Sequence, residues 1–347
     1  MTASKAFAAF SATTPLGPFE VDRREVGPHD VLIEIAFCGV CHSDIHQVRD
    51  EWGGSKFPMV PGHEIVGRIT QVGAHVQGFK VGDLAGVGCL VDSCRTCPSC
   101  AQDLEQFCQK GAAFTYNSTE MDRKTPTYGG YSSRIVVDQA FVLHISPKLD
   151  LAGAAPLLCA GITTYSPLRH WKVKRGDQVG VVGLGGLGHM AVKLAAAMGA
   201  EVTMLSTSAS KEADARKLGA TGFGLTKDEA TFKRLAGHFD LIIDTISAPH
   251  DYNQYLGMLR LEGAMVLLGV PPAPTPVAAQ SLIFGRKTLS GSLIGGIKET
   301  QEMLDFCAEH GIVSEIEVIP VQQINAAYER MLKGDVRYRF VLDMKTL

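Results

Sequence analysis

The stretch Val179-Gly180-Val181-Val182-Gly183-Leu184-Gly185-Gly186-Leu187-Gly188 constrains this chain most strongly. A short apolar run passes directly into G-x-G-x-x-G, and His189 to Met198 then reads as a helix stopped by Gly199. The glycine pattern alone carries little weight; a strand before it and a helix after it supply the context it requires. Glycines let the backbone approach a pyrophosphate, and the N-terminus of a helix favours its charge. Gly183, Leu184, Gly185, Gly186, Leu187 and Gly188 are therefore candidate contacts to a dinucleotide. The alternation continues, with strands expected at Val202 to Leu205, Gly222 to Leu225, Leu241 to Ile246, Met265 to Leu268 and Thr288 to Ser292. Helices are expected at Lys211 to Leu218 and Tyr252 to Leu259, which makes residues 151–292 an α/β unit with a doubly wound parallel sheet of the Rossmann type.

A chain of 347 residues is too long for a single core. Residues 1–150 are different in kind: short apolar runs such as Val31 to Phe37, Ile65 to Val72 and Ser133 to Val137 are cut by Gly73, Gly78, Gly82 and Gly86. That pattern predicts a β-rich, barrel-like domain with little helix. Near Asp150 the composition turns helical and apolar, from Leu151 to Trp171. After about Leu293 the chain is expected to return to the first domain, so that residues 293–347 complete it.

Inside the β-rich domain lies Cys94-Arg95-Thr96-Cys97-Pro98-Ser99-Cys100, followed by Cys108. Four thiolates in C-x2-C-x2-C-x7-C spacing read as a closed tetrahedral zinc site in a lobe of about residues 89–110. The common ferredoxin run places three residues before its fourth cysteine and a proline after it, and neither holds here. Four protein ligands leave no open position, so this zinc is expected to be structural.

A second group of candidate ligands is more dispersed. Cys38-Gly39-Val40-Cys41-His42-Ser43-Asp44-Ile45-His46 is followed by Pro61-Gly62-His63-Glu64, and Cys159 lies far downstream. Two thiolates and one imidazole suit zinc and leave a fourth position for water or substrate. No spacing rule joins Cys41 to Cys159, however. By spacing alone the two cysteines read equally well as small buried hydrophobes, and His63 as a satisfied core histidine.

These segments resemble the zinc-dependent medium-chain alcohol dehydrogenases, in particular their cinnamyl-alcohol-dehydrogenase-like branch and its bacterial NADPH-dependent broad-range aldehyde reductases. The resemblance runs from about Val26 to the C-terminus. It implies a GroES-like catalytic domain beside the Rossmann domain, and a catalytic zinc on Cys41, His63 and Cys159 that acts as a Lewis acid on an aldehyde or alcohol. It also implies that the Ser43 hydroxyl and His46 relay the proton, through the cofactor ribose. Thr163, Ser292 and Ile294 are implied contacts at the nicotinamide end, and Arg339 on the pyrophosphate. Many members carry arginine directly after the first cysteine ligand, where this chain has His42, so His42 is expected to hydrogen-bond that phosphate instead.

Asp44 is read as the carboxylate that orients the His63 imidazole, with an Asx cap as the alternative. Glu64 is expected to be an occasional zinc ligand, the alternative being a buried carboxylate behind the metal. Trp52, Tyr116 and Leu293 are candidates for an apolar substrate pocket. An NAD site places an acid after the second strand, but here that strand ends Leu205-Ser206-Thr207-Ser208, with Lys211 following. Hydroxyls and a lysine suit a 2′-phosphate, so NADP(H) is the expected cofactor, held by Ser206, Thr207, Ser208 and Lys211.

The net charge of −3 gives no general attraction to nucleic acid or anionic lipid. No apolar run reaches the length of about 18 residues that a membrane helix needs. Nine cysteines, four of them clustered, favour metal binding in a reducing compartment, and the expected location is the cytoplasm. Thr288 to Ser292, at a sheet edge, is expected to pair with its twin in a homodimer.

Overall fold

A computed structural model describes residues 2–347. The chain forms two compact units, one running to Ile162 and resuming from Gly295 to Leu347, the other covering Thr163–Ile294.

The first unit is built on a seven-stranded sheet. Its order runs Ile316–Pro320, Arg339–Asp343, Asp30–Gly39, Ile65–Val72, Leu84–Val87, Leu143–His144, and Arg134–Asp138 pairs with Asp30–Gly39 off this path. The long strand Asp30–Gly39 is the hub, antiparallel to three others. Val31, Ile33 and Ile35 are buried, whereas Glu34 is exposed. Gly67 is required where this strand is crossed, because a Cβ there would lie 2.1 Å from the Glu34 carbonyl oxygen. Two small antiparallel pairs complete the unit, Thr2–Ala8 with Gly17–Arg23 and Leu90–Asp92 with Ala113–Phe114.

The second unit is a six-stranded parallel sheet in the order Gly222–Leu225, Glu201–Ser206, Gln178–Val182, Phe239–Asp244, Leu259–Leu267, Thr288–Gly291. The strand order reverses at Gln178–Val182, and such a switch point is where open α/β sheets take ligands. Phe239, Ile242, Leu256 and Met265 are fully buried in the core that helix Tyr252–Met258 closes.

The composition change near Asp150 comes earlier in the chain than the break between the units, which falls after Ile162. Residues 151–162 pack with the first unit because Leu157 and Leu158 are fully buried there. A Cβ on Gly86 would touch Leu158, and one on Gly88 would meet the Leu158 carbonyl oxygen at 3.1 Å. The apolar stretch Leu151 to Trp171 is also not one helix. It divides into Leu151–Ala154, a 3-10 turn Ala155–Leu158 containing Pro156, and Ala160–His170. Cys159 stands at the break with φ −130° and ψ −65°, outside helical geometry. Strand Ile316–Pro320 and helix Glu229–Arg234 lie outside the elements expected from the sequence.

Candidate active site

Cys41 is the N-cap of the short helix His42–Val48, and the Asp44 side chain accepts the Cys41 N–H at 2.9 Å to close a capping box. Asp44 does more than cap. Its Oδ2 also accepts from the Tyr131 hydroxyl at 3.2 Å, while Oδ1 accepts from the Gly62 N–H at 3.2 Å and lies 3.2 Å from His63 Nδ1. Four donors thus converge on a carboxylate that is fully buried; it caps the helix and also lies against the His63 ring. Gly62 reaches this carboxylate with φ +100°, and a Cβ there would meet Cys38 Sγ and the Tyr131 ring at 2.7 Å.

The result is a buried cluster of Cys41, His63, Glu64 and Cys159, whose ligand atoms all lie within 4.8 Å of one another. The two sulfurs are 4.0 Å apart. Tetrahedral zinc with Zn–S of about 2.3 Å sets sulfurs about 3.8 Å apart, so the pair is already spaced for the ion. The Cys159 thiol, Arg339 and His63 together hold Cys41 well below the usual thiol range. Glu64 is fully buried; burial pushes its carboxyl up to about 8 against the pull of Arg339. One carboxylate oxygen pairs with the Arg339 guanidinium, and the other, Oε2, has no hydrogen-bond partner. A buried carboxylate oxygen without a donor beside two thiols and an imidazole is the environment a cation would complete. The same pair gives Arg339, 4 % exposed, a partner other than the expected pyrophosphate.

Ser43 lies beside this cluster, its Oγ 3.6 Å from Cys41 Sγ. His46 follows almost one turn later on the same helix. Its Nδ1 contacts Glu51 Oε2 at 2.5 Å and its ring stacks on Trp52 at 4.8 Å. Trp52 is half exposed, and Tyr116 is buried and stacked on the His63 ring at 5.7 Å. Glu51 was not singled out in the sequence, although its five-residue offset from His46 beyond the helix end is the one available signal. Cys89 was also missed; its thiol interacts with Cys159.

The second cysteine group is equally compact. Cys94, Cys97, Cys100 and Cys108 bring their sulfurs within 4.8 Å of one another. Backbone N–H groups of Cys97 and Gln109 point at Cys94 and Cys97 sulfurs at 3.4 Å, as expected around thiolates. N–H groups of Thr96 and Cys97 draw the Cys94 thiol down to about 6. The lobe is anchored to helix Ile297–His310 through Glu105, which accepts the Ile297 N–H at 3.1 Å.

In the second unit the glycine turn has the expected form. Gly183 has φ +89°, and a Cβ on Gly188 would fall 1.8 Å from the Gly183 carbonyl oxygen, so only glycine fits. Leu184, Gly185, Gly186 and Leu187 form the turn into helix Gly188–Ala197. Ser206, Thr207 and Ser208 leave the next strand, Ser208 N–H bonding Ser206 Oγ at 3.2 Å. Lys211 Nζ reaches back to the Leu184 carbonyl at 2.8 Å, which places its charge beside the glycine turn. Thr163 is buried in helix Ala160–His170, Ser292 follows the edge strand, and Ile294 is buried with φ +37°. Leu293 is half exposed and His42 exposed.

Two family descriptions match the chain: "alcohol dehydrogenase GroES-like domain" over residues 27–147 and "zinc-binding dehydrogenase" over residues 186–309. An NADP-dependent alcohol dehydrogenase C of Mycolicibacterium smegmatis is 57 % identical, over 100 % of this chain and 99 % of that protein. This chain is a zinc-dependent medium-chain alcohol dehydrogenase of the cinnamyl-alcohol-dehydrogenase-like branch. Aldehyde reductase YahK of Escherichia coli is 54 % identical over 99 % of both chains. A cinnamyl alcohol dehydrogenase of Sorghum bicolor superposes with TM-score 0.96 at 44 % identity, covering 99 % of this chain and 98 % of that one. A cinnamyl alcohol dehydrogenase of Helicobacter pylori complexed with NADP(H) superposes with TM-score 0.93 at 45 % identity over 99 % of both. The doubly wound α/β domain beside a GroES-like domain is therefore the fold of the family as well as of this chain.

The four donors on Asp44 make it the support of the His63 ring. Asp44→Asn is expected to weaken zinc retention about 10- to 100-fold, read by competition with a chromogenic chelator; unchanged retention would remove Asp44 from that role.

Proposed function

We propose that this dehydrogenase reduces aldehydes to primary alcohols, reversibly, with NADPH, and carries two zinc ions per chain. The observation that carries the reading is the buried Cys41–His63–Cys159 cluster, with its zinc-like sulfur spacing and the donorless Glu64 oxygen beside it. Cys41, His63 and Cys159 would hold the catalytic ion, Glu64 acting as an occasional fourth ligand, and Cys94, Cys97, Cys100 and Cys108 the structural one. When bound, zinc supplies Lewis-acid polarisation of the carbonyl oxygen, and NADPH supplies the hydride.

The residues around the cluster manage charge and protons. Cys41 and Cys159, as thiolates, would nearly neutralise a bound divalent ion and so moderate its hold on the substrate oxygen. Ser43 Oγ, beside Cys41, donates the proton the nascent alkoxide needs. His46 replenishes it: Glu51 holds Nδ1, which orients the ring and leaves Nε2 to exchange with water. Trp52 stacks on that ring and limits its rotation. Arg339 balances Glu64 when the carboxylate is away from the metal. Tyr116 and Trp52 supply apolar surface for the substrate's organic part.

Lys211 and the hydroxyls of Ser206, Thr207 and Ser208 support NADPH over NADH, because no acid ends the second strand of the sheet. Gly183 to Gly188 take the pyrophosphate, with Thr163, Ser292 and Ile294 toward the nicotinamide. Among the described residues no single helix is long and apolar enough to cross a membrane. Nine free cysteines, six of them in the two clusters, support a reducing, cytoplasmic setting. The net charge gives nucleic acid no purchase.

NADPH oxidation across a panel of aliphatic and aromatic aldehydes tests the reading; silence across the panel would overturn it. With an active aldehyde, Lys211→Ala is expected to raise KM for NADPH about tenfold while leaving KM for NADH near its original value. Equal effects on both cofactors would remove Lys211 from the 2′-phosphate. The edge strand Thr288–Gly291, flanked by the strongly exposed Ile283 and Phe284, supports a homodimer formed by pairing across a two-fold axis. Sedimentation equilibrium is expected to give twice the chain mass, and a monomer would contradict the pairing.

A further inference from the structure

The strand Phe239–Asp244, next to the glycine-turn strand, ends in a carboxylate that the reaction does not use. Asp244 is 1 % exposed. Its Oδ1 accepts the Ile246 N–H at 3.1 Å, and its Oδ2 lies 2.9 Å from His250 Nε2. His250 Nδ1 in turn lies 2.8 Å from the Ala248 carbonyl oxygen. Both ring nitrogens therefore face acceptors. A neutral imidazole carries one N–H and would leave one of these contacts without its proton, whereas the imidazolium satisfies both. The geometry thus specifies a charged His250 on a buried carboxylate.

The segment this pair encloses is the wall of the glycine turn. Thr245 donates from its N–H to the Val182 carbonyl at 3.1 Å and from its hydroxyl to the same oxygen at 2.7 Å. A Cβ on Gly183 would meet Ile246 Cγ1 at 2.9 Å and Thr245 Oγ1 at 3.1 Å. On the other side, a Cβ on Gly269 would fall 2.2 Å from the Ile246 carbonyl oxygen. Thr245 and Ile246 are wedged between two glycines, and the position of the first glycine follows theirs.

We propose that the His250–Asp244 ion pair is a clasp that holds Thr245 and Ile246 against Gly183 and so sets the affinity of the glycine turn for NADP(H). His250 and Asp244 are positioning residues: neither touches the reacting atoms, and the clasp acts on cofactor binding rather than on hydride transfer. The inference rests on the cofactor site proposed above.

The clasp has a direction in pH. Burial opposes the charge on His250, but Asp244, the Ala248 carbonyl and Asp251 outweigh it and raise the group above its usual 6.5. The titratable groups facing the ring are Asp244 below it, Asp251 beside it, and the phenols of Tyr252 and Tyr255, whose rings meet it edge to face at 5.0 and 5.5 Å. Both phenols are raised above 10 by burial and stay neutral throughout the range that matters. A partner that raises a folded histidine stabilises the clasped form below the raised pKa, and that stabilisation is lost as pH rises through it. Asp244 is then left buried without its cation.

The test is the dissociation constant of NADPH for the zinc-loaded protein, read by nicotinamide fluorescence from pH 6 to pH 9.5, in wild type and in His250→Gln. Wild type is expected to lose affinity about five- to tenfold as His250 deprotonates. His250→Gln is expected to bind at pH 6 with the weak affinity wild type shows at high pH, with that step flattened, and with its loss appearing in KM for NADPH rather than in kcat. The same pH step in both proteins, or equal NADPH affinity at pH 6, would overturn the clasp. Failure of wild type to bind NADPH at any pH would instead overturn the cofactor assignment. Should His250→Gln fail to fold, amide hydrogen exchange of wild type decides. Protection at Thr245 and Ile246, corrected for intrinsic rate, is expected to drop between pH 6 and pH 9 relative to the rest of the sheet, and a uniform profile contradicts the proposal.

Discussion

One carboxylate sets the geometry of the metal-binding unit. Burying an ionised carboxylate is strongly unfavourable unless donors replace the water it gives up. Asp44 gathers four of them: the Cys41 N–H, the Gly62 N–H, the Tyr131 hydroxyl and the His63 imidazole. Two of these donors belong to prospective zinc ligands, and a third to the residue immediately before one. The capping helix, the turn at Pro61-Gly62 and the strand region carrying Tyr131 are thereby locked together before any ion arrives. Removing the carboxylate would not merely release one ring; it would leave several buried donors unsatisfied at once.

The second determinant is backbone room. The glycine turn needs Gly183 with positive φ and Gly188 pressed against its carbonyl, and both constraints are local to about six residues. Its support is not local. Thr245 and Ile246 arrive from a strand some sixty residues later, and the His250–Asp244 pair holds them in place. The two functional centres share this logic: a short motif offers the chemistry, and a buried ion pair or carboxylate from another element fixes its geometry.

That division explains what the sequence disclosed. The glycine turn and the four-cysteine lobe were legible because their spacing and their chemistry lie in one segment. The absence of an acid after Leu205 was legible for the same reason, whereas the short helix His42–Val48 carried no signal in a domain read as β-rich. Cys159 was ambiguous by spacing, since 118 residues separate it from Cys41 and only the fold brings their sulfurs to 4.0 Å. The Glu64–Arg339 pair, the Cys89 thiol beside Cys159 and the His250–Asp244 pair follow no periodicity, being products of tertiary packing. Glu51 was overlooked because a glutamate just past a helix end reads as a solvated surface group. The junction of the two units was placed early because composition becomes helical at Leu151, yet Leu157 and Leu158 bury against the β-rich unit.

The proposed chemistry requires a single ion in the Cys41–His63–Cys159 cluster, distinct from a second ion that only holds a lobe. Stepwise chelation of the purified protein, with zinc content, aldehyde reduction and thermal midpoint followed together, tests this directly. Two zinc ions per chain are expected, activity vanishing with the departure of one and returning on its replacement, and the thermal midpoint falling chiefly with the other. Full activity in protein stripped of both ions, or in protein that holds zinc only on the four-cysteine lobe, would contradict it.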